Sequence, residues 1–202
     1  MHYIGGRSNL VFIHIPKNAG TCVLNTFNKE SSGHQALQAR RRKKAGVKYF
    51  CVIRDPFDRV ISAFEYLRND GNGSLPDIIA KERYCYQDTF DEFLECFRKE
   101  RKKYFTRTHL APQHHWCCEG NTILADIVIN YNNFEKELRE LHRKNNWPHY
   151  GGRTNSLEYI PRVRPSPRKD INFYISEKNK ELVKEIYADD YIIFSQWNEQ
   201  WI

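Results

Sequence analysis

Three short apolar runs constrain this chain more than any other feature: "LVFIHI" at 10–15, "VKYFCVI" at 47–53 and "DIVINY" at 126–131. A strand with one wet face alternates apolar and polar residues. A continuous run must be covered on both faces, which is the pattern of parallel strands in a layered α/β sheet. Between and after these runs the spacing turns helical. Thr21–Asn28 follows the first. Asp55-Pro56 supplies an N-cap and an N1 proline for a helix through about Leu67. Thr89 and Glu92 form a capping box ahead of Phe90, Phe93, Leu94 and Phe97, which keep to one helical face. Phe134, Leu138 and Leu141 repeat that pattern, as do Leu182, Val183 and Ile186. Strand alternating with helix predicts an α/β protein with a central parallel sheet flanked by helices. Gly71–Ser74 and Pro161–Lys169 read as exposed loops.

With 202 residues and no composition break or repeat, one domain spanning 1–202 is expected. The formal net charge of +7 favours anionic ligands: nucleotides, acidic glycans or nucleic acid. The run Arg40–Lys44 reads as a solvated basic face, or as a guide for an anionic acceptor. No recognised nucleic-acid module is present, so nucleic acid is disfavoured as a partner. The first strand begins by Leu10, leaving no room for a signal peptide, and no apolar run reaches membrane-spanning length; a cytoplasmic location is expected. The six cysteines, at 22, 51, 85, 96, 117 and 118, contain no CxxC pair and support neither a zinc site nor a disulfide framework.

In a parallel sheet, ligands gather where strands end and helices begin. Two such junctions carry chemistry. In "FIHIPKNAGT" (12–21), Lys17 precedes Gly20. A Walker-type loop has its lysine after the glycine, so this is a different anion loop. Asn18, Ala19, Gly20 and Thr21 would present backbone N–H groups at a helix start, and Lys17 a mobile cation. In "VIRDPFDRVISAF" (52–64), Arg54 closes the strand and Ser62 lies two turns into the helix. Arg59 reads as a local partner of Asp55 or Asp58. Two separated anion sites suit a ligand with phosphates at both ends.

These two segments resemble the paired signatures of the sulfotransferases that use 3′-phosphoadenosine 5′-phosphosulfate, PAPS, and most closely the carbohydrate sulfotransferases. "HLAPQ" (109–113), "DIVINYNNFEKEL" (126–138) and "EIYADDYIIFSQ" (185–196) extend the likeness along nearly the whole chain. The resemblance implies a P-loop-NTPase-like three-layer fold and transfer of a sulfuryl group to an acceptor hydroxyl, on a carbohydrate. It assigns Lys17, Asn18, Ala19, Gly20, Thr21 and Cys22 to the 5′-phosphosulfate, and Arg54 and Ser62 to the 3′-phosphate. Cys22 stands where relatives often carry Ser, and a thiol is the weaker donor.

Such chemistry needs a cation where charge develops on the leaving oxygen, a role for Lys17, and a base for the acceptor hydroxyl. No metal is required. His34, between the two signatures, is the position at which the resemblance places a catalytic histidine; His109 is the other candidate, with His114 and His115 close behind it. His14, inside the first strand, is expected to be structural. A loop over 151–169 is expected to fold over the nucleotide, with Arg153 in contact. A nucleotide kinase-like phosphotransferase and a basic nucleic-acid-binding protein are the alternative readings.

Overall fold

The computed structural model describes residues 2–4, 10–27, 46–120, 122–145, 160 and 169–199. Contacts divide the chain into two units, the first comprising Met1–Arg54 and Gln113–Arg164, the second Asp55–Pro112 and Pro165–Ile202.

The first unit is built on a sheet of β1 (His2–Ile4), β2 (Leu10–Ile13), β3 (Lys48–Ile53) and β6 (Ile127–Asn130), adjacent in that order. β2, β3 and β6 are parallel, with Phe12 opposite Phe50 and Cys51 opposite Val128. The three apolar runs therefore form the parallel sheet that the sequence predicts. β1 adds an antiparallel edge, which was too short to show a period. From Leu10 to Ile13 and from Tyr49 to Ile53 every residue is buried, as double-faced cover requires.

One face, formed by Leu10, Phe12, Phe50, Val52 and Ile129, packs with Val23, Leu24 and Phe27 of α1 (Gly20–Thr26) and its C-cap. The same cluster takes Phe134, Leu138 and Leu141 of α7 (Phe134–Asn145). Asp126 stays outside β6 but ties it to its neighbour. Its carboxylate accepts from the Tyr49 N–H (2.7 Å), and its own N–H donates to the Tyr49 carbonyl (2.8 Å). A short helix α6 (His114–Cys117) leads into a hairpin of β4 (Cys118–Glu119) and β5 (Thr122–Ile123), with Gly120 at φ 55. Two-residue strands carry no pattern that a sequence can show.

The second unit is helical: α2 (Pro56–Arg68), α3 (Leu75–Tyr84), α4 (Phe90–Lys99), α5 (Arg101–Phe105), α8 (Glu177–Ile186) and α9 (Ala188–Glu199). Two caps fall where expected. Asp55 accepts from the Asp58 N–H at 2.9 Å, and Thr89 and Glu92 close their reciprocal box. Ser176 caps α8 through the Asn179 N–H. The core is aromatic: Phe64 meets Phe93 (centroids 4.8 Å apart), and Phe97 stacks on Tyr104 (4.7 Å). The hydroxyls in this core have partners, as burial demands. Tyr187 donates to the Leu110 carbonyl and Tyr174 to Glu65, each at 2.7 Å. Burial pushes Tyr174 up to about 12, with the Glu65 bond in the same direction.

Candidate active site

β2 ends two residues earlier than its apolar run, because the Ile15 N–H turns back onto the Ile13 carbonyl (3.0 Å). The chain then enters the loop Lys17–Asn18–Ala19 with φ 69 at Lys17 and 56 at Ala19, while φ of Asn18 stays negative. A left-handed conformation costs a residue with a Cβ about 1–2 kcal/mol. Among the described residues three non-glycine residues have positive φ, and two of them stand in this loop. Turn backbone of this kind can gather N–H groups into a concavity that suits an anion, although the Asn18 N–H itself donates to the Ile15 carbonyl (3.4 Å). Strain of this kind persists only where the surroundings over-determine it.

Those surroundings are visible. Asn18 is fully buried, and its Nδ2 donates to the Val52 carbonyl (2.7 Å) and to Oε1 of Gln113 (2.6 Å). Gln113 in turn accepts from the Arg54 N–H (3.0 Å) and donates through Nε2 to the Arg54 carbonyl (2.8 Å). The Arg54 guanidinium donates from Nη1 to the Lys17 carbonyl (2.8 Å) and lies 4.2 Å from the centre of the Tyr131 ring. Loop, strand end and the start of the Gln113 segment are thus bolted together. The sequence pointed to Lys17, Asn18 and Arg54, and the structure brings all three together. It did not single out Gln113, although the residue closes the "HLAPQ" segment, nor Tyr131. Their roles are contacts across distant sequence, with no local signature.

α1 begins directly after Ala19 with no side-chain cap. Gly20 is buried against His14: a Cβ at position 20 would stand 1.9 Å from Cδ2 and from Nε2 of that imidazole. His14 also stacks on Phe12 (5.6 Å), in keeping with a structural role. Thr21 and Cys22 are half-buried on the first turn. The uncapped N–H groups that open α1 and the Arg54 guanidinium beside the Lys17 carbonyl are therefore a donor set that suits an oxyanion.

Ser62 is buried in α2, and His109 is half-buried with its ring 4.7 Å from Tyr66; both belong to the second unit. Tyr66 donates to Asp77 (2.7 Å), and Arg107 pairs with the same carboxylate. Burial would raise the pKa of Asp77, but the Tyr66 hydroxyl, the Asn72 N–H and the charges of His109 and Arg107 outweigh it and hold the carboxyl below its ordinary range. Arg59 is buried, with Nη2 donating to the Ala111 carbonyl at 2.7 Å. His34, Arg153 and the Arg40–Lys44 run lie outside the described residues, as does the 151–169 loop apart from Ile160 and Lys169.

All six cysteines are free thiols, with Cys117 and Cys118 3.6 Å apart at sulfur. Among the described residues no group of three or more His, Cys, Asp or Glu side chains could hold a metal ion. None of the described helices is long and apolar enough to cross a membrane.

No match is found among curated proteins or among solved structures. The family model described as "Sulfotransferase family" matches residues 2–195, an interval that holds the strained loop, Arg54 and Gln113 alike. The α/β architecture, with a parallel sheet flanked by helices, is that of a sulfotransferase, and the chain belongs to the sulfotransferase family.

Proposed function

We propose that this chain uses PAPS as its donor and sulfates a hydroxyl on a carbohydrate. The observation that carries the donor assignment is the left-handed pair Lys17 and Ala19 in a loop bolted to Arg54. Bound there, the donor supplies a sulfuryl group on a phosphate leaving group. The N–H groups of residues 19–22 would hold the phosphosulfate end, the Asn18 N–H being taken up by the Ile15 carbonyl, and Lys17 would oppose the negative charge that builds on the leaving oxygen. Arg54 and, by the family likeness, Ser62 are assigned to the 3′-phosphate. An imidazole nitrogen of His34 or of His109 takes the proton of the acceptor hydroxyl. A neutral histidine with pKa near 6.5 suits that task. Arg153 is assigned to a cover over the nucleotide, keeping water from the transfer. The carbohydrate acceptor rests on the family likeness and on the basic net charge, which suits an acidic glycan.

A thermal-shift panel tests the donor. Adenosine 3′,5′-bisphosphate, the product form of PAPS, should raise the melting temperature well beyond ATP, with or without magnesium, or AMP, by mass action. A larger shift with ATP and magnesium favours phosphoryl chemistry and removes the PAPS assignment.

A further inference from the structure

We propose that Gln113 is a positioning residue: its carboxamide sets the spacing between the phosphosulfate loop and Arg54, acting on the donor through Asn18 and the backbone of Arg54. This rests on the donor assignment above. The geometry is specific to an amide. One oxygen accepts from two donors, Asn18 Nδ2 and the Arg54 N–H, while the nitrogen donates to the Arg54 carbonyl. The side chain therefore pairs with both backbone groups of Arg54 as a neighbouring strand would, at a position where β3 has already ended at Ile53. Gln113 is itself buried, so a group without this donor–acceptor pattern leaves polar atoms unsatisfied. Residue 54 is where the backbone must be fixed, because the guanidinium it carries also holds the Lys17 carbonyl. Displacing the Arg54 backbone displaces one of the supports of the left-handed loop. A sequence motif shows the glutamine; only the three bonds show that it couples the two halves of the clamp.

The substitution Gln113→Glu probes this with almost no change in shape. As a carboxylate it keeps the acceptors but cannot donate to the Arg54 carbonyl. As a neutral acid it regains both an acceptor and a donor. Among the described residues, titratable neighbours of Gln113 include Arg54, whose backbone it bonds, and Cys117, whose Sγ lies 3.6 Å from the Gln113 carbonyl; affinities are therefore read relative to the wild-type chain at each pH. In calorimetry with adenosine 3′,5′-bisphosphate, Gln113→Glu should bind on the order of 10- to 100-fold more weakly at neutral pH, and the deficit should shrink as the medium is acidified. Gln113→Met, of similar length and without charge, should lose affinity at every pH. It also covers the case in which the glutamate variant does not fold. Should neither fold, hydrogen exchange on the intact protein decides: the Arg54 amide must be protected without ligand, and rapid exchange there overturns the proposal. Wild-type affinity in either folded variant also overturns it, as does a glutamate deficit that acid leaves unchanged. If the wild-type chain itself does not bind the bisphosphate, the donor assignment fails and the inference with it.

Discussion

Gly20 sits against the imidazole of His14 so closely that the smallest side chain would overlap two ring atoms. Helix propensity alone would favour alanine over glycine at this position by about 1 kcal/mol. Overpacking opposes it and is the larger effect, about 1–3 kcal/mol. Gly20→Ala should therefore lower stability in urea denaturation, and His14→Ala combined with it should restore most of the loss. A Gly20→Ala chain as stable as wild type would show that the imidazole moves aside freely.

Lys17 and Arg54 should separate binding from turnover. Arg54→Ala removes a buried guanidinium that holds the Lys17 carbonyl and is assigned to phosphate, so bisphosphate affinity should fall by about 1.5–3 kcal/mol. Arg54→Lys should not restore it, because an ammonium cannot reproduce the planar fork. Lys17→Ala should depress turnover more than affinity if, as proposed, its partner is charge present only in the transition state. Calorimetry and steady-state kinetics on the same preparations check both.

The base assignment is decided by a pair of variants. His34→Ala should lose about 10²–10⁴-fold in turnover while binding the bisphosphate normally. His109→Ala should be milder and should act partly through Asp77 and Tyr66, the groups that surround it. The reverse ranking makes His109 the base.

Asp77 makes a pH-dependent contribution with a definite sign. Its folded pKa lies below the ordinary 3.8, so the ionised carboxylate stabilises the fold above that value. The contribution is lost as pH falls through the lowered folded value. Asp77→Asn should therefore be less stable than wild type at neutral pH, and the two melting curves should converge in strong acid. A gap that stays constant with pH would mean that Asp77 acts only through its shape.

Much of the architecture was legible because the cues were local. Continuous apolar runs announced β2, β3 and β6, and Asp55, Thr89 and Glu92 announced their helix starts by side-chain chemistry. β1 and the β4–β5 hairpin escaped, since strands of two or three residues have no period to detect. At the site, Lys17, Asn18 and Arg54 were readable from two motifs. The left-handed backbone at Lys17 and Ala19 was not, because neither residue type signals it. The Gln113 bridge and the His14–Gly20 contact arise only when segments distant in sequence or turned back on each other meet in three dimensions.

The bond that joins Gln113 to Arg54 spans 59 positions of sequence, and this separation matters before the protein is ever complete. A ribosome extending a chain at roughly 5–20 residues per second makes Lys17 and Arg54 early, then takes about 3–12 s more to deliver the glutamine. Throughout that interval the nascent chain holds Lys17 and Arg54 without the side chain that bonds to both backbone groups of Arg54. The clamp proposed for the donor is thus completed only once residue 113 has been made, and a product truncated before it should carry the motifs while lacking a finished clamp.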